Sequence, residues 1–274
     1  MRWAIGALIV FGASAGMIVA ILRVRRRAPD GGYFNDGDRA SGVFGVLATG
    51  FALLLGFVVF LAFTKYDESR AGAEAEALAV VQLFETAQLM PAEAGSELAG
   101  EIECYGRSVV NLEWPAMETG RASETISPWG LSMFRTLQAV EPVTAAEQSA
   151  YDSWLAQTSA REEARLDRLH AAEGIVPLPM WIVLLLSAAL VLAYLLFYAD
   201  SGERAVSQGM LAGSVTAVVV ASLLVLLSLN RPYDPGTGGI RPVAMQRSLD
   251  IIESARVALD LDEPPPCDAA GQPL

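Results

Sequence analysis

One histidine, His170, and two cysteines, Cys104 and Cys267, leave this chain without the side chains that most metal centres and nucleophilic enzymes require. No G-x-S-x-G, no H-E-x-x-H, no phosphate-binding glycine loop and no paired-cysteine motif occurs in it. Catalysis, a metal and a cofactor are therefore not expected. Charge is missing in a more telling place. No Asp, Glu, Lys, Arg or His interrupts Trp3 to Leu22, Val43 to Phe63, Leu178 to Phe197 or Val206 to Leu229. Carriers coupled to protons or ions keep ionisable groups at membrane depth, so that class is disfavoured, whereas a channel needs no buried charge.

Each of those four runs has about the length a helix needs to cross a bilayer. The expected fold is all-α: four transmembrane helices with a large helical extramembrane domain between the second and third. The parts read as residues 1–64, a membrane hairpin; 65–176, an acidic helical domain; 177–229, a second hairpin; and 230–274, a tail with one helix. Arg2 precedes the first run and Arg23, Arg25, Arg26 and Arg27 follow it, with no A-x-A-type cleavage site between run and arginines. This reads as an uncleaved anchor. The same cluster puts the first loop in the cytoplasm by the positive-inside rule. The N-terminus, the large domain and the tail then lie outside.

Acidity segregates accordingly. From Lys65 to Glu173 there are 19 acidic residues against 8 basic, net −11, and from Asn230 onward 7 against 4, net −3. Such a face attracts cations and repels nucleic acid, unless it is simply a solvated acidic surface. Cys104 and Cys267 both fall on the outer side, where a disulfide tying tail to domain is possible; under the opposite orientation they are buried thiols.

Within the large domain the second span continues outward as one helix from Val43 to about Met90, and Pro91 stops it. A second helix runs from Ala92 to Trp114 and ends at Pro115; a third runs from Pro128 to Val140. The fourth runs from Thr144 to about Ala172, with Thr144 and Glu147 as a capping box and Gly174 as its stop. Its apolar face is read as Tyr151, Trp154, Leu155, Thr158, Leu166 and Leu169, opposite Arg161, Glu162, Glu163, Arg165, Asp167 and Arg168. Pro242 begins a last helix, with Met245, Leu249, Ile252 and Leu259 at helical spacing, and Pro264, Pro265 and Pro266 end ordered structure.

Small residues recur at four-residue spacing in three spans: Gly12, Gly16 and Ala20; Ala48, Ala52 and Gly56; Gly209, Gly213, Ala217 and Ala221. These are faces for close helix contact. On the second span Gly45, Thr49, Ala52, Gly56, Phe60 and Phe63 share one face. Around a symmetry axis they give a pore with an aromatic constriction, Thr49 and Thr64 offering hydroxyls to an ion. The competing reading is a packing seam with lipid-facing phenylalanines.

The layout resembles the bestrophin-like family of bacterial and plant membrane proteins. The resemblance rests on the pair of spans before a helical domain, on Glu113-Trp114-Pro115, on Asp167-Arg168-Leu169 approaching Pro177, Pro179 and Trp181, and on Leu229-Asn230-Arg231-Pro232 with Gly236 nearby. It implies a homo-oligomer, a pentamer or tetramer, in a bacterial inner membrane, passing inorganic ions through a neck near Gly56, Phe60 and Phe63. Bestrophins conduct anions and keep their helical domain in the cytosol. The acidic exterior and the inferred orientation depart from both, and their calcium-binding cluster is not recognisable here. Cation preference is the expectation, and a non-conducting scaffold or sensor is the alternative. Glu113 and Trp114 are read either as vestibule residues or as a helix end with a packed tryptophan, and Arg231 as pore mouth, lipid contact or snorkelling cation.

Overall fold

The computed structural model describes residues 3–121, 127–236 and 238–274, so Arg2, counted above with the first span's basic flank, lies outside them. Among the described residues there is no strand. The helices are α1 (Trp3–Arg25), α2 (Gly37–Ala87), α3 (Ala92–Ser108), a π-helical turn (Val109–Glu113), α4 (Trp114–Glu118), α5 (Pro128–Gln138), α6 (Ala145–His170), α7 (Leu178–Leu196), α8 (Ala205–Leu229) and α9 (Val243–Ala258). Four of them, α1, α2, α7 and α8, are long and apolar enough to cross a membrane. The chain forms two compact units, one of residues 1–64, 175–230 and 236–238, the other of 65–174, 231–235 and 239–274.

In unit 1, α1 lies against α8, where Gly209 and Gly213 are buried. A Cβ on Gly213 would meet Ile18 Cδ1 at 2.9 Å, so glycine sets the separation of these helices. Gly12 and Gly16 have nothing within 4 Å, and their side of α1 is unpartnered in the single chain. A second contact layer packs Phe51, Leu55, Val58 and Ala62 of α2 on Leu184, Ala188 and Val191 of α7 and Val219 and Leu226 of α8. The Asn230 side-chain oxygen accepts the Ile175 and Val176 amides at 2.9 and 2.7 Å, clamping the entry to α7 against the end of α8.

Unit 2 packs Leu83, Phe84, Leu98, Ile102, Trp154 and Ile252, among others, into one core. The Thr144–Glu147 capping box opens α6, and Gly174 sits at φ +104, beyond that helix's end. Three details differ from the sequence reading. Pro115 does not end a helix. The chain passes into α4 through the π-helical turn, because a proline without an N–H frees the carbonyl four residues earlier, and widening the coil there absorbs the mismatch. Leu259 is exposed, beyond the end of α9.

The third difference is the tail, which stays ordered past Pro266. Cys104 and Cys267 form a disulfide with 5.8 Å between their Cα atoms. Trp129 donates its indole N–H to the Gly271 carbonyl at 2.7 Å, and Asn111 donates to Ala269 at 3.3 Å. Gly271 has φ +85, and a Cβ there would lie 2.3 Å from the Ser108 nitrogen, so only glycine lets the strap lie on α3. The helix ends at Ala258, ahead of the prolines, and the prolines do not end the packing.

Candidate functional site

On α2 the buried stripe is Phe51, Leu55, Val58 and Ala62, and the residues read as pore-lining lie elsewhere on the helix. Gly45, Thr49, Ala52 and Gly56 are exposed, as are Phe60 (64%) and Phe63 (55%). At roughly 100° per residue this face lies about 125° round from the buried stripe. Val46, Leu53, Phe57 and Leu61 form another exposed face further round. The helix therefore shows two chemically different open sides, one of bulky apolar groups and one of small groups ending in two phenylalanines. Thr64 is half-buried and donates its hydroxyl to the Phe60 carbonyl at 3.1 Å, which commits the proton to the helix and leaves the oxygen lone pairs.

Beside this face a cleft of about 630 Å³ runs between α2, α7 and α8, with Ala52, Gly56, Val191, Val218 and Ser222 in its lining. Ser214 and Ser222 on its α8 side donate to Leu211 and Val218 carbonyls at 3.0 and 2.8 Å. A Cβ on Gly45 or Gly56 would meet nothing within 4 Å. The small-residue face is thus open in the single chain.

Glu113 and Trp114 belong to a different place. The π-helical turn points Glu113 into unit 2, where it is 3% exposed and each carboxylate oxygen accepts from an arginine, Arg165 at 2.7 Å and Arg168 at 2.6 Å. Arg168, fully buried, also donates to both oxygens of Glu76, and Tyr105 O–H donates to Glu76 at 2.5 Å. The Arg168 guanidinium lies 5.6 Å from the Trp114 ring, Arg161 lies 4.7 Å from the Tyr105 ring, and Trp114 meets Tyr233 edge-on at 5.5 Å. Burial pushes the Glu113 carboxyl up, but Arg168 and Arg165 outweigh that and hold it below its ordinary value. Glu113 is thus buried and paired within unit 2. Its charge ties the π-helical turn to α6, and Glu76 ties α2 to the same Arg168.

This cluster corrects the assignment of faces on α6. The buried positions are Ala150, Trp154, Arg161, Ala164 and Arg168, while Leu155 and Leu166 are exposed. Arginines took the inward stripe because Glu76, Glu113, Tyr105 and Trp114 supply acceptors and aromatic faces there. The 4-, 7-, 3- and 4-residue spacing of Ala150, Trp154, Arg161, Ala164 and Arg168 was visible, but hydrophobicity alone could not favour it. Arg231 is exposed. No group of three or more His, Cys, Asp or Glu side chains is placed to hold a metal among the described residues.

Glu101 is the opposite case. It is 2% exposed on α3, one carboxylate oxygen has no partner, and burial pushes its carboxyl above the ordinary value despite the hydroxyls of Ser132 and Thr136 on α5. The folded protein then binds this proton at higher pH than the unfolded chain, so ionisation costs stability. Glu101→Gln should raise the melting temperature at neutral pH, by on the order of 1 kcal/mol of stability. That gain should shrink as the pH falls through the raised pKa and vanish below the unfolded value; a pH-independent gain would mean the charge is not the cause.

Residues 8–245 match the model of the Bestrophin-like domain. Among solved structures, a tryptophan-to-alanine mutant of a bacterial bestrophin homologue from Klebsiella pneumoniae aligns with a TM-score of 0.63 at 12% identity, covering 90% of this chain and 98% of that one. An isoleucine-to-threonine mutant of a bestrophin homologue from the same organism gives 0.57 at 14% identity, covering 98% and 99%. At such identities the likeness is one of fold. No curated protein matches.

Proposed function

Since the chain belongs to the bestrophin-like family, we propose that it is a homo-oligomeric ion channel whose conduction path is lined by α2. The observation that carries the reading is the open small-residue face of that helix, Gly45, Thr49, Ala52 and Gly56, ending in exposed Phe60 and Phe63. Four or five such faces around an axis make a passage that narrows at two rings of phenylalanine, where loss of water closes it. Bulky groups on the neighbouring face meet lipid or adjoining helices.

Two independent features argue that unit 2 lies outside the cytoplasm of a bacterial inner membrane: the arginines after α1 favour a cytoplasmic first loop, and the Cys104–Cys267 disulfide suits an oxidising compartment. The acidity of that side then concentrates cations and favours them over anions.

Purified protein in a planar bilayer under a KCl gradient tests this. A reversal potential near the potassium Nernst value is expected; one near the chloride value would mean anion selectivity. Phe60→Ala with Phe63→Ala should raise the current several-fold by widening the neck. Current unchanged by that pair removes them as the gate, and silence from a folded oligomer favours a scaffold.

A further inference from the structure

Beyond conduction, the face of unit 1 formed by the α1–α2 and α7–α8 loops carries a set of cations without assigned work. The two loops are folded onto each other. Arg25 donates to the carbonyls of Ser201, at 2.9 Å, and Glu203. Asp200 accepts the amides of Gly31 and Gly202 at 3.0 and 2.8 Å, Ser201 donates to Asp30 at 2.5 Å, and Gln208 donates to Glu203 at 3.1 Å. One arginine of the four is therefore spent on holding the loops, and Asp30, Asp200 and Glu203 are engaged in the same lock.

Arg23, Arg26 and Arg27 are exposed and make no ion pair among the described residues. They follow directly on the apolar length of α1, at the depth where lipid phosphates lie. Tyr33 (43% exposed) and Phe197 (54%) pack edge to face at 6.3 Å on the same pair of loops, as aromatics do at a membrane surface. The face as a whole is nearly balanced in charge, so the attraction is local. Guanidiniums fork onto phosphate oxygens, and zwitterionic headgroups offset that attraction with their own cation.

We propose that Arg23, Arg26 and Arg27 form a binding site for the phosphate headgroups of anionic phospholipids, with Tyr33 and Phe197 seated at headgroup level. The loop lock preorganises the site, so binding costs little ordering. This proposal requires only that the chain is embedded in a membrane, and it stands or falls independently of conduction.

Native mass spectrometry of the full chain, titrated in detergent with phosphatidylglycerol or phosphatidylcholine, tests it. Wild type should retain phosphatidylglycerol preferentially, and raised salt should release that lipid but not phosphatidylcholine. Arg26→Gln with Arg27→Gln should weaken phosphatidylglycerol retention roughly 25-fold, about fivefold per arginine, and leave phosphatidylcholine unchanged. Equal retention of the two lipids by wild type, insensitivity to salt, or full retention by a folded double variant would each overturn the proposal. Displacement by millimolar inorganic phosphate would overturn the lipid assignment in favour of a free-anion site.

Discussion

Arg168→Ala is expected to destabilise unit 2 severely. Its guanidinium is fully buried and serves both Glu76 and Glu113, so its removal leaves Glu76 with no cation among the described residues and only the Tyr105 hydroxyl, and Glu113 with Arg165 alone, in a core that also holds Trp114, Tyr105 and Met117. Breaking a buried pair costs about 3–5 kcal/mol because the surviving charge cannot be rehydrated, and here the Glu76 carboxylate is left in that state. That is a large share of the roughly 5–15 kcal/mol that holds a domain together. In a thermal melt of the detergent-purified protein the drop should be roughly 10–15 °C. Removing the charges together, as Arg168→Met with Glu76→Gln and Glu113→Gln, should recover much of the loss, since an apolar replacement of a whole buried ion group is often near neutral. A single variant that melts like wild type would show that water enters the cluster. Acid should act in the same direction: Glu113 has a lowered pKa, so its contribution is complete above the unfolded value and is lost as the pH falls through the folded one.

Cys104→Ser should be nearly as costly. The disulfide joins positions 163 residues apart, and both cysteines are buried, at 0% and 5% exposure. Loop-closure entropy for a link of that span gives about 5 kcal/mol, and losses of native disulfides run at roughly 2–5 kcal/mol. Cut loose, the strap keeps only a few bonds, chiefly those from Trp129 and Asn111. The variant should melt lower, and limited proteolysis should clip it beyond Pro266 while wild type resists. Equal melting temperatures and equal protease resistance would mean the strap is held by its packing and hydrogen bonds, with the covalent link incidental.

How far the candidate site could be read in advance divides along one line. The α2 face was legible because a helix repeats every 3.6 residues, and Gly45, Thr49, Ala52 and Gly56 fall on one side whatever surrounds them. The ion cluster was not. Glu113 and Arg168 both stood in short motifs, yet nothing local joins residues 55 apart, and Glu76 is 92 residues from Arg168. Reading α6 by hydrophobicity placed Leu155 inward and Arg161 outward, the reverse of what the core contains.

By itself, then, the chain's sequence determined the four membrane-length helices, the all-helical class, the Thr144–Glu147 cap and the segregation of acidity, because these follow from composition and from neighbours within a turn or two. Tertiary structure alone decided which side of α6 is buried, that the chain runs on past Pro115, and that the tail continues as a strap over α3. The physical reason is that burying an arginine, a carboxylate or a bare backbone is favourable only when distant segments supply the partner. That partner is a property of the fold, and no window of sequence contains it.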